Sequence, residues 1–165
     1  MDKRVKSVLF ALVLIISFSQ VTYAKNEELK PPKPTIGTES SDKDTGSSND
    51  VEIISEPSTR SSLLTDWSCS VSNNQNISLY LVGQQNANSF MDEMKLTLYL
   101  QRWEVNTWVD IACWSFYEFN TTSQVEDASS AFEHGNYYRA RAEHYAEDGS
   151  QTDTAQSTSS YIYVQ

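Results

Sequence analysis

The two histidines are the first residues in this sequence that could support catalysis or bind a metal. His134 and His144 lie ten residues apart, without the short spacing that brings two imidazoles to one metal ion. Glu143 adjoins His144, but neighbouring residues of a strand point to opposite faces. The G-x-S-x-G, P-loop and HExxH motifs are absent from the sequence. We therefore predict a protein that is not an enzyme and that uses neither a metal nor a cofactor.

Two cysteines could form a covalent cross-link. Cys69 and Cys113 fall on the first and the fourth predicted strands. In an exported protein, a disulfide between them would close a loop of about 45 residues and stabilise the fold by about 3–4 kcal/mol. The alternative is a pair of buried thiols, and the sequence leaves both possibilities open.

Carboxylates are clustered at three places, which raises the question of a calcium site. The clusters are Asp92 with Glu93, Glu126 with Asp127, and Glu147 with Asp148 and Asp153. Calcium binds loop carboxylates together with carbonyl oxygens, but none of these clusters has the spacing of an EF-hand loop. We expect solvated turns at these positions.

Aromatic residues provide the best candidates for a binding surface. Trp103, Trp108 and Trp114 flank one predicted hairpin, and Tyr99 lies on its polar face. Exposed tryptophan and tyrosine rings can stack on sugars or anchor a protein partner, although tryptophan also fills small cores. Two arginines would lie on the adjacent outward face. The predicted binding residues are Tyr99, Trp103, Trp108, Arg139 and Arg141.

Short strands must position these side chains. Residues 94–103 alternate, with Met94 and the next three even-numbered apolar residues on one face and polar residues on the other. Residues 83–89 (GQQNANS) are predicted to form a loop. About seven strands without a helix indicate an antiparallel sandwich. The predicted strands cover residues 68–72, 76–82, 94–103, 108–117, 123–129, 137–145 and 159–164.

A change in composition separates this domain, residues 65–165, from a preceding tail. Residues 25–64 contain all four prolines and no aromatic residue, so they cannot bury enough apolar area to offset the entropy of ordering them. We predict a disordered linker, in which residues 51–54 (VEII) could form a short docking strand.

The first 24 residues have the layout of a secretory signal peptide. Lys3, Arg4 and Lys6 precede an apolar run over residues 8–18, and Ala24 stands before the predicted cleavage site. As a helix, eleven residues span about 16 Å, whereas a bilayer core is about 30 Å thick. We expect cleavage and no membrane association afterwards; the alternative is a retained anchor.

The charge excludes one class of partner. The chain has 12 Lys and Arg against 22 Asp and Glu, a formal net charge of −10. Proteins that bind nucleic acid need a basic face for the phosphate backbone. We therefore expect no nucleic-acid partner, and repulsion from anionic membranes.

Four aromatic strand motifs carry a family resemblance. Residues 98–103 (LYLQRW), 108–109 (WV), 114–116 (WSF) and 135–144 (GNYYRARAEH) resemble a family of small secreted proteins from Gram-positive bacteria that is described as a domain of unknown function. The resemblance covers Trp67 to Val164. It implies secretion and a β-rich fold, and it transfers no catalytic residue.

Residues 133–137 (EHGNY) also approximate a motif of immunoglobulin-like and fibronectin type III sandwiches. In that motif, the tyrosine corner, a hydroxyl bonds back to upstream backbone. An inward Tyr137 would place Arg139 in the core, which rarely accepts a charge. An inward Tyr138 would instead be followed by Ala140 and Ala142, and we favour that register.

These observations predict a secreted bacterial protein with a signal peptide, a disordered tail and a single antiparallel immunoglobulin-like β-sandwich. The leading function is a non-catalytic extracellular binding module for a protein or a carbohydrate. The alternatives are a secreted hydrolase or metal-dependent accessory protein, and a structural matrix or coat component.

Overall fold

A computed structural model of the chain describes residues 30–47, 63–75 and 77–165. Within these ranges the protein is all-β, without a helix, and its seven strands pair antiparallel. The predicted fold class is therefore confirmed. The strands are β1 (Thr45–Ser47), β2 (Leu64–Asn74), β3 (Ser78–Glu104), β4 (Thr107–Ser130), β5 (Asn136–Asp148), β6 (Gln151–Thr158) and β7 (Ile162–Val164).

The long hairpin of β3 and β4 runs through both layers of the structure. The start of β3 pairs with β2, its end pairs with β5, and β4 follows it on the other side. The pairing with β4 shifts register between Asn86 and Met91, and Asn120 on β4 has a positive φ of 51° in the same region. Such an irregularity lets a paired ribbon bend. The hairpin therefore contributes to two layers.

The first layer contains β1, β2, the start of β3 and the end of β4. The second layer contains the start of β4, the end of β3, β5, β6 and β7. The prediction of a loop over residues 83–89 was wrong, because these residues belong to β3. They are too polar to show a strand pattern, yet residues 83–86 pair with both β2 and β4.

The hydrophobic core lies between the two layers. Leu79 and Leu81 contribute from the first layer, and Leu96, Leu98 and Leu100 from the second, all at 0% exposure. The layers approach so closely that a Cβ on Gly83 would lie 2.6 Å from Leu98 Cδ2. The alternation predicted for residues 94–100 is confirmed, because its even-numbered residues are buried in the cores between the layers.

Tyr138 is the inward tyrosine, with Ala140 and Ala142 after it, as the favoured register predicted. Its hydroxyl accepts a hydrogen bond from the Glu133 N–H and donates one to the Glu133 carbonyl, both at 2.9 Å. This is the backbone contact that defines a tyrosine corner. The corner is thus formed by Tyr138 rather than by Tyr137.

Part of the predicted disordered tail is ordered, which corrects that prediction for residues 30–47. Thr45 pairs with Ser72, and the Asn73 N–H donates to the Asp44 carbonyl at 2.7 Å. The open edge of β2 supplies backbone partners, so these residues need no core of their own. The predicted signal peptide, residues 1–24, and residues 51–54 lie outside the described residues. The described part offers no helix with the length and apolar character needed to span a bilayer.

Cys69 and Cys113 do not form the proposed disulfide. Cys69 faces the core from the first layer, where its Sγ lies 3.7 Å from the Ala140 carbonyl oxygen. Cys113 is exposed on β4, opposite Tyr99 in the second layer. The alternative of two buried thiols is correct for Cys69 alone. Burial raises the pKa of its thiol to about 11.

Candidate functional site

The outer face of the second layer brings together the residues predicted to bind a ligand. Tyr99 and Gln101 of β3 pair with Arg141 and Arg139 of β5, and their side chains alternate with the buried leucines. Trp103 pairs with Trp108 across the β3–β4 turn. The sequence predicted an outward position for Tyr99 and an adjacent outward face for the two arginines, and the structure places all three on one face.

A chain of polar contacts runs down this face. The Arg139 Nε donates to Gln101 Oε1 at 2.7 Å, and Gln101 Nε2 donates to Asp110 Oδ1 at 2.6 Å. Arg141 continues it with Asp110 at 3.1 Å and Glu143 at 2.6 Å. The guanidinium of Arg141 neutralises these carboxylates, and it lowers the pKa of Glu143.

Trp103 and Trp108 belong to a cluster of rings at one end of the face, which we call the aromatic end cluster. Neighbouring rings lie 4.8–5.8 Å apart between centroids. The prediction that Trp103 binds a ligand was wrong, because its ring is only 4% exposed. The cluster consists of Trp103, Trp108, Tyr137, Tyr161 and Tyr163.

Arg139 lies beside this cluster. Its guanidinium carbon is 4.4 Å from the centroid of the Trp108 ring, a distance at which the cation is attracted to the ring face. Burial, followed by the nearby charge of Arg141, lowers the pKa of Arg139 to about 10. Arg139 and Trp108, both predicted to bind a ligand, therefore pack against each other rather than standing free in solvent.

A groove of about 690 Å³ occupies the other end of the outer face. Tyr117 of β4 and Tyr145 of β5 stand on either side of Lys95, with which both are in register. The Lys95 ammonium lies 5.4 Å from the Tyr117 ring centroid. Side chains from four strands line the groove, among them Lys95, Thr97, Tyr117, Glu143, Tyr145 and Gln156.

Sequence reasoning missed this groove. The alternation of β3 predicts the outward direction of Lys95 and Thr97, and the sequence itself shows that positions 117 and 145 are tyrosines. Their proximity depends on the register of three strands, which alternation does not determine. The fourth wall, β6, was not predicted because its residues, QTDTAQST, are almost entirely polar.

Neither histidine occupies the groove with its ring. His144 is 1% exposed, its Nε2 lies 2.8 Å from Ser157 Oγ, and burial lowers its pKa to about 4. His134 is exposed and contacts the Gln165 carbonyl through Nδ1. Among the described residues, no group of three or more His, Cys, Asp or Glu is arranged to hold a metal ion.

Comparison with models of protein families, with curated proteins and with solved structures finds no match to this chain.

Proposed function

We propose that this chain is a secreted, non-catalytic binding module that holds a carbohydrate in the groove of the second layer. The observation that carries the proposal is the pair of tyrosines flanking Lys95. Tyr117 on β4 is 50% exposed, and Tyr145 on β5 is partly exposed. Both rings are therefore available to solvent without being needed for the core.

The geometry of the two tyrosines suits an extended sugar chain. Tyr117 and Tyr145 belong to strands on opposite sides of β3, so their backbones stand about 9.5 Å apart, twice the spacing between strands. Aromatic rings pack against the C–H faces of pyranose rings, while polar groups fix the hydroxyls. Thr97, Glu143 and Gln156, which also line the groove, supply such groups.

The charges in the groove favour a neutral ligand over an acidic one. Glu93 and Glu143 line it together with Lys95, and Glu147 accepts the hydrogen bond of the Tyr145 hydroxyl. That bond raises the pKa of Tyr145 to about 12, which keeps the phenol neutral. Sugars rich in carboxylate or sulfate would meet an excess of negative charge.

The same charges support a binding role rather than hydrolysis. Glycoside hydrolysis uses a carboxylic acid whose pKa is raised so that it holds a proton near neutral pH. Arg141 has the opposite effect on Glu143, because its hydrogen bond lowers the pKa of that carboxyl. Export remains part of the proposal on the strength of the signal layout in residues 1–24.

Calorimetric titration of the chain from residue 25 onward with soluble polysaccharides and oligosaccharides tests the proposal. Tyr117→Ala and Tyr145→Ala should each weaken binding by up to about ten-fold, since stacking energies reach roughly 1.5 kcal/mol. Tyr80→Ala is the matched control, because Tyr80 is 38% exposed on the first layer. Binding that survives both groove variants, or no binding to any glycan, would contradict the proposal.

One observation favours a second candidate, a self-assembling structural component. Within the described residues, β4 pairs only with β3, so its other edge is open over 24 residues. Phe119 and Val125 on it are 63% and 66% exposed. Open edges of this kind can pair with another chain. Sedimentation that depends on protein concentration would favour this candidate.

A further inference from the structure

The aromatic end cluster is crossed by a segment of the chain's own N-terminal part, residues 30–40, which we call the strap. The Trp108 Nε1 donates a hydrogen bond to the Ile36 carbonyl at 2.8 Å. The Lys30 ammonium lies 5.0 Å from the centroid of the Tyr163 ring. The strap thus reaches across the cluster from one ring to another.

Backbone hydrogen bonds fasten the far end of the strap. The Tyr161 N–H donates to the Thr38 carbonyl at 2.8 Å, and the Ser40 N–H donates to the Tyr161 carbonyl at 2.9 Å. Glu39 and Tyr161 form an isolated parallel bridge. This is the manner in which an extended peptide adds to an existing strand.

The sequence of the strap is that of a proline-rich ligand. Residues 30–34 read KPPKP, so Pro31 and Pro34 have the P-x-x-P spacing. Pro34 is buried and Pro31 is half-buried, whereas Pro32 and Lys33 between them are exposed. The two more buried prolines are three positions apart, which is the length of one turn of a polyproline II helix. Domains that bind such helices use grooves lined with aromatic side chains.

We propose that the aromatic end cluster is a recognition site for extended proline-rich peptides and that the strap fills it in cis. The ligand class is a P-x-x-P peptide with flanking lysines, which also suits a protein of net charge −10. The site lies at the opposite end of the face from the carbohydrate groove. The two proposals are therefore independent.

Covalent attachment explains why a free peptide must compete poorly with the strap. The strap continues into β1, which pairs with β2 of the same domain. A tethered ligand of this kind acts at an effective concentration of about millimolar or above. A peptide added in trans should bind well only when the strap is weakened.

Gly37→Val weakens the strap without changing a residue of the cluster. Gly37 has a φ of +97°, and a Cβ there would lie 3.2 Å from an Arg139 guanidinium nitrogen. A β-branched residue is strained at such a φ. The probe is a fluorescent peptide of residues 30–40, and the measurement is its anisotropy with the chain from residue 25 onward.

The peptide should bind the Gly37→Val protein about ten-fold or more tightly than it binds the wild type. A control peptide in which Pro31 and Pro34 are both alanine should bind neither protein. Equal affinity of the peptide for both proteins, or equal affinity of the two peptides, would overturn the proposal.

A second measurement needs no strained variant. A specific protease site placed within residues 48–62, which the structure does not describe, would convert the strap and β1 into a separate fragment after cleavage. Dilution of the cleaved protein then yields the dissociation constant of the fragment. Alanine at Pro31 and Pro34 should raise this constant about ten-fold or more, since it removes apolar surface that is buried at Pro34 and half-buried at Pro31. An unchanged constant would overturn the proposal.

Discussion

Tyr99 and Arg141 stand opposite each other on β3 and β5, and the guanidinium carbon of Arg141 lies 3.8 Å from the centroid of the Tyr99 ring. Both side chains also bind Glu143, at 2.9 Å from the Tyr99 hydroxyl and at 2.6 Å from Arg141. The pair thus combines a cation–ring contact with a shared carboxylate. It joins the aromatic end of the outer face to the groove.

The interaction between these two residues can be measured by a double-mutant cycle. Tyr99→Ala and Arg141→Ala should destabilise the domain by less together than the sum of the two separate changes. We expect a coupling of about 0.5–1 kcal/mol, because the contact is only partly shielded from solvent. Urea unfolding of the four proteins gives the free energies, and strict additivity would contradict the contact.

The two thiols should differ in reactivity because only one of them is exposed. In the native protein, a thiol reagent should modify Cys113 within the mixing time and leave Cys69, with its raised pKa and 2% exposure, unmodified. Denaturant should release the second thiol. Cys113→Ser is the control and should abolish the rapid phase. Two reactive thiols in the native state would refute the burial of Cys69.

Stability should fall on acidification because of His144. Its pKa is lowered from 6.5 to about 4 in the folded state, so the unfolded chain binds a proton that the folded chain rejects. The loss of unfolding free energy begins below pH 6.5, the pKa of the unfolded chain, and is complete near pH 4, the pKa of the folded chain. At pH 5 it should amount to roughly 2 kcal/mol, since one pKa unit corresponds to about 1.4 kcal/mol.

Chemical unfolding between pH 7 and pH 5 tests this dependence in a range where most carboxylates stay ionised. His144→Gln should flatten the pH dependence, whatever its effect on stability at pH 7. His134→Gln is the matched control, because His134 is exposed, and it should keep the wild-type slope. An unchanged slope in the His144 variant would show that another group is responsible.

Gly83→Ala should destabilise the sandwich by about 1–3 kcal/mol, the usual cost of overpacking a core. The added methyl would lie 2.6 Å from Leu98 and 2.9 Å from Leu96, both of the facing layer. Gln84→Ala, at the exposed neighbouring position, should change the free energy of unfolding by less than about 0.5 kcal/mol. Equal stabilities of the two variants would show that the leucines move aside freely.

Local alternation in the sequence was sufficient for several parts of the site. The even-numbered apolar residues from Met94 to Leu100 required an inward face, so Tyr99 had to point outward. Placing Tyr138 inward oriented Arg139 and Arg141 toward the same outer surface. These inferences succeeded because successive side chains of a strand alternate between its two faces.

The polar stretches of the chain were beyond such reasoning. Residues 83–86 and the strand β6 lack an apolar face, and they are strands because neighbouring strands supply partners for their backbone. The strap was missed for a related reason. Its prolines carry no periodic signal of strand or helix, and the rings that contact the strap at Ile36 and Lys30 lie about 70 to 130 positions away in the sequence.

The sequence by itself determined the all-β class, the outward direction of Tyr99 and of the two arginines, and the inward direction of Tyr138. Only the tertiary structure decided that Trp103 is buried and that Tyr117 and Tyr145 flank Lys95. It also decided that Cys69 faces the core from the first layer, whereas Cys113 is exposed on the second layer. The physical reason is one of range. Side-chain direction along a strand is a local property of the backbone, whereas register, layer packing and the cover over a surface depend on contacts between distant segments.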